Sequence, residues 1–462
     1  MIRASGAIDR ERRGMPTAVA PFPIEPRHGL VHGTLMFTRW WNPLLRASVL
    51  SSLLAGAVFG AATEWPEFRG PDRQGRSQAR NIPVTWSATE NIAWAVPIEG
   101  SGWSSPVIFQ GRLFLTTATG GTGTEPLRLK VLGFDAATGK TRWNTSVFEH
   151  DLGKLPSIHD KNGQASPTVL VDPSKKRLYA HFGHLGTAAL DFDGRVLWRQ
   201  SEIRYTPIHG NGGSPALVEG LLVFSCDGGN DPFVVALDAA TGQVRWKTPR
   251  NTTAKRTFSF ATPLVETVAK KQQIILPGSG FVAGYQPGDG RELWRVRYGE
   301  GYSVIPRPVL SEGILIIGTG YDTPSLLGIR LDQPQGDVTD TAIAWRITKG
   351  APNTPSVIAH QGHVYFVSDA GIASCAELAT GKIVWNERLG GGFSASPVLA
   401  EGRIYFINEA GLTTVAKASP TFEVVARNDL GERTLASPAV IDGALFIRSA
   451  GTLRRIGNPA SR

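Results

Sequence analysis

A small residue followed by proline, opening a short β-rich run, recurs along this chain at Ser105-Pro106, Ser166-Pro167, Ser214-Pro215, Thr262-Pro263, Thr354-Pro355, Ser396-Pro397 and Ser437-Pro438, with Arg307-Pro308 in the remaining slot. After a first, longer interval the prolines stand about 41 to 48 residues apart, the range in which four-stranded propeller blades repeat. The count predicts eight units. The stretch Ser214–Trp246 displays their grammar: two alternating apolar strands around a Glu219-Gly220 turn, a third strand ending in Asp238, an Ala-Ala-Thr-Gly turn, and a fourth strand carrying Trp246. Period-two patterning with Gly-rich turns reads as a four-stranded antiparallel meander.

The last unit, from Ser437 to Gly457, has three strands, and its fourth is expected at the other end of the chain, where Asn91–Val96 carries Trp94 ahead of the first Ser-Pro pair. Joining the two ends closes the ring and removes an open sheet edge. The reading is therefore an all-β, eight-bladed propeller of four-stranded antiparallel blades, closed by an N-terminal strand and spanning residues 63–457. Seven units carry the fourth-strand Trp, and the seventh is read with Val424-Val425 in its place. A Trp repeated once per blade is expected to pack between neighbouring sheets, its N–H on a backbone carbonyl. Composition agrees, since 53 Gly and 31 Pro with 19% charged residues suit short strands and tight turns.

The apolar run Ala47–Ala62 follows Arg39 and Arg46 and ends in small residues, the layout of a secretory signal peptide. Residues 36–62 are read as that signal, beginning at Met36, and residues 1–35 as a non-native or disordered extension. The expected location is periplasmic or extracellular, with no membrane segment after signal removal. No cysteine directly follows the run, so no lipoprotein is expected. Of the formal charge of +9, Met1–Arg46 supplies four, and the small remainder gives no reason to expect a nucleic-acid partner. Cys226 and Cys375 fall three units apart, too distant for a disulfide.

The strand-turn-strand pattern of Asp, Thr-Gly and Trp is similar to the tryptophan-docking repeat of quinoprotein alcohol dehydrogenases and of the propeller protein of the outer-membrane Bam assembly complex. The segments beginning at Trp65 (WPEFRGPDRQG), Gly102, His159, His209 and Leu435 resemble a family of bacterial secreted PQQ-binding-like β-propellers. That resemblance implies a fold and no settled reaction. In the dehydrogenases it implies pyrroloquinoline quinone (PQQ) held between a Trp and a disulfide of adjacent cysteines, over a Ca²⁺ bound by acidic and amide side chains. This chain has no adjacent cysteines and no haem-attachment motif.

Blade linkers and the turns between second and third strands gather at one face. Their polar residues make the candidate ligand site: His159, Lys161, Asn162, His209, Asn211, Asp227, Arg256, Tyr302, Arg307, Asp322 and Lys349. His159 and His209 enter adjacent blades and are expected to face a central funnel together. Turn capping is the competing role for Asp227, Asn230 and Asp369. No HExxH, CxxC or EF-hand spacing predicts a metal, and no GxSxG elbow predicts a nucleophile. The favoured function is a binding or scaffold module of the cell envelope, with a small polar ligand, a glycan or an envelope protein as partner. The alternative is a PQQ-dependent alcohol or sugar dehydrogenase, in which Arg256, Arg307 and Lys349 meet the quinone carboxylates and Asp322 is the base.

Overall fold

Eight sheets, each with four antiparallel strands and two of them with a short parallel edge strand added, follow one another along the chain. The computed structural model describes residues 62–121, 125–151, 158–332 and 334–457, so the expected extension and nearly all of the expected signal peptide lie outside the described residues. Numbered by chain order, the blades occupy residues 107–150, 170–200, 216–249, 264–297, 309–347, 358–388, 398–429 and 439–456. Blade 8 is completed by Ile92–Pro97, which pairs antiparallel with Thr452–Ile456 and closes the ring as the sequence predicts. Inner strands are covered on both faces by neighbouring blades; Leu221–Cys226 is buried at every residue. Outer strands are not, and Val244–Pro249 exposes most of its residues.

Tryptophan docking holds at six of the eight seams. Trp94, Trp143, Trp198, Trp246, Trp345 and Trp385 each donate the indole N–H to a carbonyl of the next blade, from 2.8 Å at Trp246 to Pro287 O to 3.2 Å at Trp94 to Ala136 O. The Gly of the receiving turn lies against the ring: a Cβ at Gly242, where φ is +77°, would stand 2.6 Å from the Trp198 indole. That glycine supplies both a left-handed backbone and room for the indole.

The other two seams depart from the repeat. Trp294 of blade 4 bonds Gln273 Oε1 of its own blade at 2.7 Å, because blade 5 replaces the short turn with a longer excursion. Part of that excursion, Gly336–Asp337, adds a parallel strand to blade 4. In blade 7 the Trp position is Ala426, not Val424-Val425: Ala426 pairs with Val415 as Trp385 pairs with Cys375. The indole there comes from Trp86, upstream of the ring, which stacks on Tyr405 with ring centroids 6.4 Å apart. The corresponding tyrosines of blades 2 and 6, Tyr179 and Tyr365, pack against Trp198 and Trp385.

The small residues beside the prolines bind the blades together. Ser105 N–H donates to Thr168 Oγ1, Thr168 N–H to Ser214 Oγ and Ser214 N–H to Thr262 Oγ1, at 2.9 to 3.0 Å. Arg307 N–H donates to Ser356 Oγ, Ser356 N–H to Ser396 Oγ and Ser396 N–H to Ser437 Oγ, each at 2.9 Å. In blades 2 and 6 the hydroxyl that serves is Thr168 or Ser356, after the proline. The pairs Ser166-Pro167 and Thr354-Pro355 therefore sit two residues out of the register that the sequence suggests. This belt of hydroxyls breaks at two diametrically opposed seams, and a buried arginine crosses each. Arg307 donates to Pro263 O between blades 4 and 5, and Arg448 to Thr116 O and Ser104 Oγ between blades 8 and 1.

Below the belt, the segment from Ala62 to Ser77 threads across the channel. Innermost strands turn an unpaired edge toward the axis, and its backbone groups need partners. The segment supplies them: Trp65 pairs with Ile108, Pro66 O accepts from Val171 N, and Gly75 O from Leu399 N. Gln74 Oε1 accepts from Leu310 N, Arg73 and Arg76 reach Val265 O and Ala359 O, and Ala62 bonds Asp442. Every blade but the third is held in this way.

Candidate functional site

Above this floor lies a cavity of about 320 Å³, entered from the face where the sequence places the linkers and second turns. Its lower wall is the hydroxyl belt, with Ser105, Thr168, Ser214, Ser356, Ser396 and Ser437 all lining it, and Phe68 of the threading segment faces it. Higher up the wall is aromatic, with Trp103, Phe260, Tyr302 and Tyr321 joined by His159 and His209.

The two histidines come together as the sequence reading expects, edge to face with ring centroids 5.5 Å apart. Local backbone geometry brings this about. Ile158 and His209 form a parallel bridge, and Asn162 Nδ2 donates to His209 O at 2.8 Å. His209 holds φ at +69°, which turns its ring against His159 and Phe258. Burial, and then the neighbouring His159, keeps the His209 imidazole below its ordinary pKa. His159 Nδ1 lies 2.8 Å from Asp160.

Lys161 reaches from the blade 2 linker to Glu409 after the second strand of blade 7, 2.8 Å away, and Ser394 Oγ donates to the same carboxylate oxygen. Burial works against the ammonium, but the Glu409 bond and the nearby Asp369 outweigh it and raise its pKa. Arg256 pairs with Asp322 at 3.2 Å and lies over the Tyr302 ring. Arg433 covers Trp103 and donates to Asp160 O.

Of the sequence candidates, His159, Lys161, Asn162, His209 and Tyr302 line the cavity. Arg256 and Asp322 are paired and exposed outside its lining, and Lys349 is exposed and equally outside it. Asn211 stands behind the wall, bonded to Tyr205 and Gly213 O. Asp227 and Arg307 do not reach the cavity. Asp227 is buried in an ion pair with Arg250 at 2.7 Å, which is neither a turn cap nor a funnel contact. Arg307 is 1% exposed below the floor, its guanidinium bonded to Glu67, Phe68 O and Pro263 O. Asp369 does cap backbone, accepting from Asn353 N and Thr354 N.

Charged groups are sparse on the wall. Among the described lining residues there is no carboxylate, and Lys161 is the only Lys or Arg. The belt hydroxyls, Trp103 and Phe68 were missed. Of the first, Ser105, Ser214, Ser396 and Ser437 were read as repeat markers while Thr168 and Ser356 lie two residues past theirs, and the segment beginning at Trp65 had no place in the repeat. A small residue at the same register in blade after blade was the signal available for the belt.

A family model described as outer membrane protein assembly factor BamB matches residues 80–275 and 329–453, well over half of the chain. No curated protein sequence matches it. Among solved structures, BamB from Moraxella catarrhalis aligns over 79% of this chain and 98% of its own, with 13% identity and a TM-score of 0.58. A europium-containing methanol dehydrogenase aligns over 85% and 91%, with 11% identity and a TM-score of 0.60. The quinohemoprotein alcohol dehydrogenase ADHIIG from Pseudomonas putida HK5 aligns over 87% and 82%, with 12% identity and a TM-score of 0.59. At such identities the structural likeness carries the fold alone, while the family model carries the assignment: this chain belongs to the PQQ-like β-propeller repeat family that includes BamB.

Proposed function

We propose that this chain is a binding propeller of the bacterial envelope whose axial cavity recognises one compact, ring-bearing polar ligand. The observation that carries the reading is the cup itself: aromatic walls above a hydroxyl belt, with the channel crossed below by the chain's own N-terminal segment. Its volume of about 320 Å³ lies at the small end of ligand pockets and suits a ligand of one or two rings. The apolar run Ala47–Ala62 and the match to a BamB family model support an envelope location.

The residues of the cup do not fit the metal-held quinone that the dehydrogenase resemblance implies. Among the described residues no acidic side chain lines the cavity, and there is no group of three metal-ligating side chains. Cys226 and Cys375 are separate buried thiols. Arg307 is committed below the floor, and Arg256 and Asp322 to each other. Acyl-transfer chemistry finds no support either, because no lining hydroxyl hydrogen-bonds a histidine among the described residues. Calorimetric titration of the chain with a panel of mono- and disaccharides and small aromatic acids, beside PQQ with Ca²⁺, tests the reading. Saturable heat from a panel member, abolished by His159→Ala with His209→Ala, is expected. Stoichiometric quinone binding with dye-linked oxidation of an alcohol or sugar would overturn it.

A further inference from the structure

Five of the six belt hydroxyls that line the cavity already have one role. Thr168, Ser214, Ser356, Ser396 and Ser437 accept a backbone N–H from the preceding blade. A hydroxyl carries one hydrogen, and accepting leaves it free. None of these five donates to another protein group among the described residues, and all five line the cavity, as does Ser105. The lower wall is thus a ring of uncommitted O–H donors converging on the axis.

The buried charge around the ring has one sign in excess. Arg448 is fully buried at one break of the belt, its Nη1 on Ser104 Oγ and Thr116 O. Ser104 adjoins the lining residue Ser105. The other edge of that guanidinium, Nε with Nη2, has no partner among the described residues, and Arg448 makes no ion pair among them. Arg69, 2% exposed beside Phe68, bonds only the carbonyls of Gln74, Val357 and Pro397 among the described residues. Arg307 at the opposite break has one carboxylate, Glu67, which it shares with Arg73. Buried charges without counter-ions are expensive, and a low-dielectric surround carries their field into the adjoining cavity.

We infer that the cup takes an anionic ligand, a ring-bearing carboxylate whose carboxylate sits in the hydroxyl belt while its ring packs against the aromatic wall of Trp103, Phe260 and Tyr302. This rests on the binding reading above and adds the sign and orientation of the ligand. Donor hydrogens without competing acceptors favour an acceptor-rich group, and a charged acceptor strengthens each bond. No carboxylate lies in the described lining itself; Glu409, Asp369 and Asp160 stand behind it, already engaged by Lys161 with Ser394, by Thr354 and by His159.

Two matched pairs test the inference by calorimetry on the whole chain: D-glucuronate against D-glucose, and 4-hydroxybenzoate against 4-hydroxybenzyl alcohol. In at least one pair the acid is expected to bind about tenfold or more tightly than its neutral partner. Ser105→Ala removes a lining hydroxyl without orphaning any backbone N–H, and is expected to weaken the acid about tenfold while leaving Tm nearly unchanged. Arg448→Met removes the unpaired guanidinium and is expected to shrink the preference for the acid. Equal binding of acid and neutral partner would overturn the inference and leave the binding reading intact. Silence from all four compounds, with heat from neutral saccharides of the wider panel, would also overturn it. Silence throughout would remove both.

Discussion

The two ends of the central channel are built from different chemistry. At the base, the 62–77 segment is fastened to seven blades by backbone and side-chain hydrogen bonds, among them those of Arg69 and Arg307, both at most 2% exposed, and of the partly exposed Arg73 and Arg76. At the mouth, the charged pairs Lys161–Glu409 and Arg256–Asp322 stand with Lys161, Arg256 and Asp322 each more than two-fifths exposed, on loops over a rigid belt. Exposed pairs of this kind contribute at most about 1 kcal/mol, whereas a buried pair broken on one side costs several. Stability is thus concentrated at the base, and the mouth is free to be shaped by recognition.

Breaking the base should have the largest effect. Glu67→Gln leaves the Arg307 guanidinium buried without its carboxylate, and a loss of about 3–5 kcal/mol is expected in chemical denaturation. A change within about 0.5 kcal/mol would mean that the floor is not fastened as described, and the contrast between the ends would fail. Next comes Trp86→Ala, which empties the place of the missing blade 7 indole against Tyr405; about 3 kcal/mol is expected from the lost packing. Trp86 belongs to the same upstream chain, so an effect below about 1 kcal/mol would confine the fastening to residues 62–77.

Acidification should separate the two ends in another way. In blade 2, behind the funnel wall, His181 is fully buried against Phe224 and burial holds its pKa down at about 3, and burial lowers His184 to about 4. An unfolded chain protonates these rings near the ordinary value of 6.5, whereas the folded imidazoles stay neutral. Their contribution is therefore complete above about pH 6.5 and is lost as pH falls toward the folded values. For His181 this amounts to roughly 2 kcal/mol between pH 6.5 and 5. His181→Phe should flatten the slope; an unchanged slope would place the acid sensitivity elsewhere. Arg69 at the base does not share this sensitivity, since burial lowers it only to about 9 and it stays charged through neutral pH.

The same contrast decides what the sequence discloses. Blades, their number and the closing strand at Trp94 are legible because each blade repeats the same packing problem, and repetition is visible in one chain. Trp86, Phe68 and Arg69 solve problems that occur once, so no periodicity marks them. Arg307 is instructive: the repeat assigns its slot, but the slot lacks a hydroxyl, and its long side chain turns down to Glu67 and away from the funnel. Asp227 resembles a turn residue until the fold supplies Arg250 from 23 positions further on. His159 and His209 are found from sequence because linkers of adjacent blades must be neighbours at one face.

That pair yields the smallest effect on stability and the most discriminating one on function. Both rings are exposed, and neither donates to a buried acceptor. Their edge-to-face contact at 5.5 Å and the His209 contact with Phe258 are expected to be worth no more than about 1 kcal/mol together. Replacing both by Ala should move Tm by only a few degrees, because residues 158–163 keep the Ile158–His209 bridge and the Asn162 bond to His209 O, which are made by backbone and by a side chain left in place. Ligand binding measured on the same protein should fall by at least about tenfold, since one wall of the cup is cut away at the level where a bound ring would lie. A large fall in Tm would instead make the pair part of the frame and move the boundary between frame and recognition surface up to the rim, where only Lys161, Arg256 and Arg433 would remain to choose a ligand.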